Sequence, residues 1–158
     1  MASVDITIVI NTLKLTTATD LITAGASNFI MHGTDVTVSV TNETGRNDAS
    51  KNSQNEIEVK TNANHQGSLE LKFTCSSATN SVVTNYRING ILFKRTDTAA
   101  GSDQTPSRVA DIEGIGSTQA TLKYNRTAAG LDYEFYLLIQ HPTNGSFGLV
   151  DPKLVTRN

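Results

Sequence analysis

The sequence predicts an all-β fold, an antiparallel β-sandwich of about seven to nine strands with at most one short helix. Two observations predict it. Threonine, serine, asparagine and glycine are abundant, while charged residues make up 18% of the chain, below the ~25% typical of soluble domains. Apolar and polar residues also alternate with the period of a half-buried strand, over the runs 4–10, 36–40, 57–60, 69–75, 82–95, 120–124 and 133–155. With 158 residues, the chain fits one domain, 1–158, around one core.

Residues 130–155 form the stretch around which the rest is expected to be arranged. An aromatic-rich run is followed by Pro142 and Asn144-Gly145 and then by a second apolar run, which predicts a central hairpin. Tyr136 and Leu138 lie on the face opposite Phe135 and Leu137, so both faces of the first strand need to be covered. We expect a second subunit to cover Tyr136 and Leu138, unless segment 12–34 or 96–118 of the same chain does so.

The remaining elements are predicted from local patterns. The first strand is Val4–Ile10, segment 12–34 is ambiguous, and the polar run 41–55 indicates a solvated loop. The short strand 57–60 is expected to pair with 69–75. Asn89-Gly90 between two apolar runs predicts a type I′ hairpin. The only expected helix covers 107–113 and is closed by Gly114. Leu131–Phe135 resembles the tyrosine-corner region of immunoglobulin-like sandwiches, which favours a Greek-key, immunoglobulin-like arrangement.

Few residues are candidates for catalysis or metal binding. Cys75 continues the apolar series of strand 69–75, so we expect it to be buried and inert. The histidines His32, His65 and His141 are far apart and have no zinc-ligand spacing. Gly114-Ile115-Gly116 lacks the third glycine of a dinucleotide motif, and no Gly-x-Ser-x-Gly elbow occurs. We therefore predict no catalytic residue, no metal ligand and no cofactor.

Charge and composition restrict the partners. The 13 basic and 15 acidic residues are scattered, which argues against nucleic acid. No apolar run approaches membrane-helix length, and the sequence begins without a signal-peptide pattern, so a cytoplasmic protein is expected. Calcium or carbohydrate binding by loops 41–56 and 96–118 is the alternative, because acidic residues gather near the second loop. Those residues are Asp97, Asp103, Asp111 and Glu113, with Asp35 and Asp132 elsewhere.

The hairpin also carries a family resemblance. Tyr133–Ile139, Asn144-Gly145 and Asp151-Pro152-Lys153-Leu154-Val155 resemble the close of two groups of small bacterial proteins. These are the DP-EP family and the inclusion-body family that includes PixA- and AidA-like proteins, whose opening strand is similar to Val4–Ile10. The chain has no Glu-Pro dipeptide and only two methionines, where some inclusion-body members are rich in methionine. The resemblance implies a cytoplasmic bacterial β-sandwich without established enzymatic activity, stored or assembled at high concentration. The expected function is thus a non-enzymatic interaction protein that forms homo-oligomers.

Overall fold

A computed structural model describes residues 1–17, 19, 29–61, 64–95, 109–126, 132–151 and 154–157. These residues form two mixed sheets that pack against each other, and the helical element whose bounds lie within them is a 3-10 turn at Gly33–Asp35. The thirteen strands of the described ranges are β1 (Ala2–Ile10), β2 (Ile30–Met31), β3 (Val36–Asn42), β4 (Ala49–Lys51), β5 (Ile57–Lys60), β6 (Gly67–Thr79), β7 (Val82–Asn85), β8 (Arg87–Arg95), β9 (Val109–Glu113), β10 (Gln119–Arg126), β11 (Asp132–Gln140), β12 (Phe147–Val150) and β13 (Leu154–Arg157).

The first sheet has six strands and runs β3-β1-β6-β10-β9, with β7 also paired to β6. Strand β1 lies inside this sheet, antiparallel to β3 and parallel to β6. The 13-residue strand β6 is long enough to pair with β10 along Gly67–Thr74 and with β7 along Ser76–Thr79. Strand β7 therefore extends the sheet beyond the end of β10.

The second sheet has seven strands and is built around β11. Strand β11 pairs with β8 along almost its whole length, and with β12 and β13 at its two ends. Strands β2 and β5 add in parallel to β12 and β13, and β4 pairs with β5. The hairpin predicted within 130–155 is thus confirmed as β11 and β12, whereas Leu154 and Val155 belong to the separate strand β13.

The core lies between the two sheets because the strands alternate buried and more exposed residues. Ile6 and Ile8 of β1, like Leu69 and Leu71 of β6, are fully buried. Across the interface, the rings of Phe73 and Phe135 have centroids 5.3 Å apart, so β6 and β11 meet directly. The predicted all-β sandwich is confirmed, and the same alternation determines which side chains face outward.

Two features of the architecture differ from the prediction. The described residues contain more strands than the expected seven to nine, because several short strands such as β2 and β4 have too few residues to show an alternating pattern. Three strand pairs, β1–β6, β12–β2 and β13–β5, are parallel, so the sandwich is not purely antiparallel.

The predicted helix at 107–113 is wrong for Val109–Glu113, which form strand β9 and pair with β10. Residues 107 and 108 lie outside the described residues. Asp111 and Glu113 are two positions apart, so both reach Lys123 on the neighbouring strand. Gly114 does end the element, but as a turn residue with φ of +75°.

The predicted Asn89-Gly90 hairpin is also wrong, because β8 continues through both residues. Asn89 is the extra residue of a bulge opposite β11, and its side chain donates a hydrogen bond to Gln140 Oε1 at 2.7 Å. The tight hairpin lies instead at Asn80-Ser81, where φ is +49° and +65°. Positive φ at both central residues is the type I′ conformation, and it joins β6 to β7.

Two further predictions need correction. Strands 57–60 and 69–75 do not pair, since β5 belongs to the seven-stranded sheet and β6 to the other. The run 41–55 is not wholly solvated, because Asp48 and Ala49 are buried and β4 begins there. Of the ambiguous segment 12–34, Thr16 forms an isolated bridge with Phe147, while residues 18 and 20–28 lie outside the described residues.

Candidate functional site

The outer face of the seven-stranded sheet carries a row of apolar side chains. Ile30, Leu149 and Leu138 lie side by side across β2, β12 and β11, since Leu149 is in register with both of the others. Two residues further along the strands, Tyr136 of β11 lies beside Leu92 of β8, whose side chain is 52% exposed. The other four residues are half-buried. We call these five residues the apolar row.

Glycine at position 90 helps to form the apolar row. Gly90 faces Leu138 across β8 and β11, and a Cβ placed on Gly90 would lie 3.6 Å from the Leu138 Cβ. Glycine at this position therefore places no side chain against Leu138. The predicted interface residues Tyr136 and Leu138 are both in this row, on the outer face, as the alternation of β11 requires.

The outer face of the six-stranded sheet is very different. Its central strands present mainly polar and charged side chains to the outside. Among them are Asp5 and Thr7 of β1, Lys72 and Thr74 of β6, and Thr121 and Lys123 of β10. The apolar row thus differs in polarity from these central strands, which is the usual difference between a surface that contacts another apolar surface and a hydrated one.

A second candidate site is a charged cluster at one end of the sandwich. The side chains of Asp48 and Arg126 are 1% and 2% exposed, and Asp48 Oδ1 lies 2.6 Å from Arg126 Nη1. Arg46 donates to the same carboxylate from Nε at 2.6 Å and from Nη2 at 3.1 Å. Arg126 also donates to the carbonyl oxygens of Gln66 and Gly67, at 3.1 and 3.4 Å. One carboxylate therefore holds two guanidinium groups.

Hydrogen bonds between the Asn42 side chain and the backbone fix the position of Asp48. Asn42, the last residue of β3, accepts hydrogen bonds at its side-chain oxygen from the N–H groups of Asp48 and Ala49, at 2.8 and 2.9 Å. Its side-chain nitrogen donates to the Ala49 carbonyl at 2.7 Å. This arrangement turns the chain inward, so that Asp48 meets Arg126 at the end of β10.

The cluster keeps Asp48 ionised. Hydrogen bonds from Arg46 contribute most to lowering the pKa of Asp48 below its ordinary value, and Arg126 adds to the effect against the opposing effect of burial. The same contact with Asp48 raises the pKa of Arg46. Asp48 and Arg46 therefore both favour their charged forms, and the hydrogen bonds hold them in a fixed arrangement with Arg126.

A polar pocket of about 280 Å³ opens beside this cluster. Gly45, Arg46, Asn47, Asp48, Asn64 and His65 line it. The pocket belongs to the predicted binding loop 41–56, which it joins to the turn before β6. Its lining offers many hydrogen-bonding groups and no aromatic ring except the imidazole, which suits a small polar ligand.

The other residues singled out in the sequence do not join these surfaces. Cys75 is 1% exposed, and burial raises the pKa of its thiol to about 12. The ring of His141 packs edge-on against Tyr86, with ring centroids 5.8 Å apart, while His32 lies beside the 3-10 turn and His65 lines the pocket. Cys75 is thus confirmed as a buried residue.

The acidic residues considered for calcium are dispersed. Asp35 is paired with Lys14 at 2.9 Å, and Asp111 and Glu113 are paired with Lys123. Asp97 and Asp103 lie outside the described residues, as does most of the loop 96–118. Within the described ranges, no group of three or more histidine, cysteine, aspartate or glutamate residues has the geometry to hold a metal ion.

Sequence reasoning missed the charged cluster, although the sequence contains a signal for it. Ala120, Leu122 and Tyr124 alternate on the buried face of β10, and Arg126 is the next member of the series. An arginine at a core position requires a buried counter-charge. Only the tertiary structure shows that Asp48, in a polar run far away in the chain, supplies it.

The described part of the chain contains no helix with the length and hydrophobicity needed to cross a bilayer. Compared with known proteins, the chain matches no protein-family model and no curated sequence.

Proposed function

We propose that this chain is a non-enzymatic, cytoplasmic interaction protein that works as a homo-oligomer, and that the apolar row is its contact surface. The observation that carries the proposal is the difference between the two outer faces. The central strands of the six-stranded sheet, β1, β6 and β10, present mainly polar residues to water, whereas the seven-stranded sheet presents Ile30, Leu149, Leu138, Tyr136 and Leu92. A second copy offers the same row, so a two-fold axis would bring two apolar rows together.

The energetic reason is the removal of apolar surface from water. Leu92 alone leaves half of its side chain exposed, and each Å² of apolar surface buried contributes roughly 25 cal/mol. Aromatic residues such as Tyr136 are also enriched in interface cores. The resemblance of the hairpin to bacterial inclusion-body proteins, which implies assembly at high concentration, supports the same function.

Mass measurement of the wild type and three variants tests the proposal. Light scattering after size-exclusion chromatography, over a concentration series, should give a wild-type mass above that of the monomer. Leu92→Glu and Tyr136→Glu should lower it, because a carboxylate in an apolar contact loses its hydration. Thr7→Glu places the same charge on the polar outer face, at an exposed position of β1, and should leave the mass unchanged. A wild-type monomer at the highest soluble concentration would refute the proposal.

A carbohydrate-binding role is the second candidate, favoured by the pocket beside Arg46. Its lining of guanidinium, amide and imidazole groups matches the hydroxyl groups of a sugar. Calorimetric titration with glucose, galactose and mannose, and separately with calcium chloride, tests it. Heat of binding that disappears in His65→Ala but persists in His32→Ala would establish the pocket as the site. Equal heats in both variants would place binding elsewhere.

A further inference from the structure

Strand β7 ends the six-stranded sheet with an exposed apolar edge. Val82 and Val83 are 65% and 62% exposed, the largest exposures among the valines with described side chains. The run from Ser76 to Tyr86 contains no charged residue and no proline. Native proteins commonly protect strand edges with charges, prolines or bulges, because an open edge pairs with other strands. The edge of β7 has none of these features.

Two other strand edges of the six-stranded sheet, those of β9 and β3, are protected. Strand β9 carries Asp111 and Glu113, both paired with a lysine of β10. The outer side of β3 is covered in part by Asn55, whose side-chain nitrogen lies 3.4 Å from the Val36 carbonyl oxygen. The contrast with these edges makes β7 the candidate for pairing.

The direction of the free backbone groups of β7 follows from one hydrogen bond. The N–H of Tyr86 donates to the carbonyl of Cys75 at 2.9 Å, so this opposed pair is a hydrogen-bonded one. Such pairs alternate along an antiparallel ladder, so Thr84 and Val82 also bond to β6. The N–H and C=O groups of Val83 and Asn85 then point away from β6, and no strand pairing described here takes them up.

We infer that β7 pairs edge to edge with β7 of a second copy of this chain, antiparallel and about a two-fold axis that passes beside Thr84. In this register Val83 of each copy lies opposite Asn85 of the other, and all four outward backbone groups of each strand are bonded. The two Thr84 residues then face each other as a cross-strand threonine pair, which is a favourable pair in sheets. Two six-stranded sheets become one continuous sheet.

A second copy fits this edge because the edge is complementary to itself. The uncharged run from Ser76 to Tyr86 can lie against itself without like-charge repulsion. The contact is a short one, so it forms at high concentration and strengthens when another interface acts with it. The inference goes beyond the proposed function, since β7 and the apolar row lie on different sheets. With two distinct two-fold contacts, one chain joins its neighbours into assemblies larger than a dimer.

Disulfide trapping tests the register. Opposed Cα atoms of a pair without hydrogen bonds lie about 4.5 Å apart, within the range of a disulfide, so Thr84→Cys should form a covalent dimer under mild oxidation. Val82→Cys is the matched control. Its side chain is more exposed than that of the half-buried Thr84, but in this register the two copies of position 82 are about 13 Å apart. Trapping at position 84 and little at 82 supports the inference, and equal or greater trapping at 82 overturns it.

Mass measurements separate this inference from the proposed function. Thr84→Lys places two ammonium groups opposite each other and should weaken the β7 contact by about tenfold or more. An equimolar mixture of Thr84→Lys and Thr84→Glu should regain the lost mass, which also shows that both variants are folded. If only the apolar row forms contacts, Tyr136→Glu becomes monomeric and Thr84→Lys behaves as wild type, which overturns the inference. If only β7 does, the two results are reversed and the proposed function fails instead.

Discussion

The buried pair of Asp48 and Arg126 allows a quantitative prediction for Asp48→Ala. Asp48 accepts three charge-assisted hydrogen bonds, two from Arg46 and one from Arg126. Without the carboxylate, Arg126 stays 2% exposed and has no counter-charge, while Arg46, whose side chain is 42% exposed, turns to water. Removing one partner of a buried ion pair costs about 3 to 5 kcal/mol, so Asp48→Ala should lower the free energy of unfolding by that amount.

Removing Arg126 should lower the free energy of unfolding by less than removing Asp48 does, and a double variant tests whether the two residues depend on each other. In Arg126→Met, Asp48 keeps Arg46 as its partner, so we expect a loss of about 1 to 3 kcal/mol, close to that of unsatisfied polar groups. In the double variant Asp48→Ala/Arg126→Met no buried charge is left. It should therefore be more stable than Asp48→Ala alone.

Urea unfolding followed by far-UV circular dichroism measures these free energies, provided that the slope with urea is the same in all variants. Glu43→Ala is the control, because Glu43 lies 4.0 Å from Arg46 and both side chains are largely exposed. It should change stability by less than about 1 kcal/mol. If the losses in free energy of unfolding add up in the double variant, or if Asp48→Ala is as stable as the wild type, then Arg126 does not depend on Asp48 as its buried counter-charge.

Three other predictions concern acid, the thiol and a turn. The folded-state pKa of Asp48 is lowered, so its contribution to stability is complete above the unfolded-state pKa of about 3.9 and is lost as the pH falls through the folded-state pKa. The free energy of unfolding of Asp48→Asn should therefore decrease less than that of the wild type when the protein is acidified. The Cys75 thiol, with its pKa raised to about 12, should react with a thiol reagent at pH 8 only when the protein is unfolded in urea, and fast labelling of native protein would show that the strand register is wrong. Gly114→Ala should lower the melting temperature more than Gly116→Ala does, because both glycines have positive φ but only at Gly114 would a Cβ lie 2.3 Å from the Gln119 carbonyl oxygen. Equal decreases in melting temperature would mean that this contact relaxes without cost.

The sequence predicts the strands of this protein better than their partners. Alternation of apolar and polar residues identifies β1, β6, β10 and β11, because each strand has one face in the core. Alternation contains no information on which strand lies beside which. The pairing of β5 with β13, and not with β6, depends on tertiary contacts between distant segments.

Turn signals were ambiguous for a similar reason. Asn89-Gly90 has the composition of a type I′ turn, but β8 continues through both residues, and Asn89 is the extra residue of a bulge opposite β11. Asn80-Ser81 forms the actual turn with a less typical second residue.

Of the candidate site, Tyr136 and Leu138 were predicted from β11 itself, whereas Leu92 and Leu149 join them only through strand register.

The parallel pairing of β1 with β6 has a consequence for synthesis on the ribosome. Ile6 lies beside Phe73 in the folded sheet, so β1 leaves the ribosome about 67 residues before β6, the parallel strand with which it pairs. At the usual 5 to 20 residues per second, the apolar residues of β1 wait roughly 3 to 13 seconds for that partner. Of the two partners described for β1, β3 is already synthesised in this interval and β6 is not, so the β6-facing edge of an isoleucine-rich strand stays open. In a crowded polysome, neighbouring nascent chains carry the same open edge, and slower translation between β3 and β6 would lengthen the time in which these edges can meet.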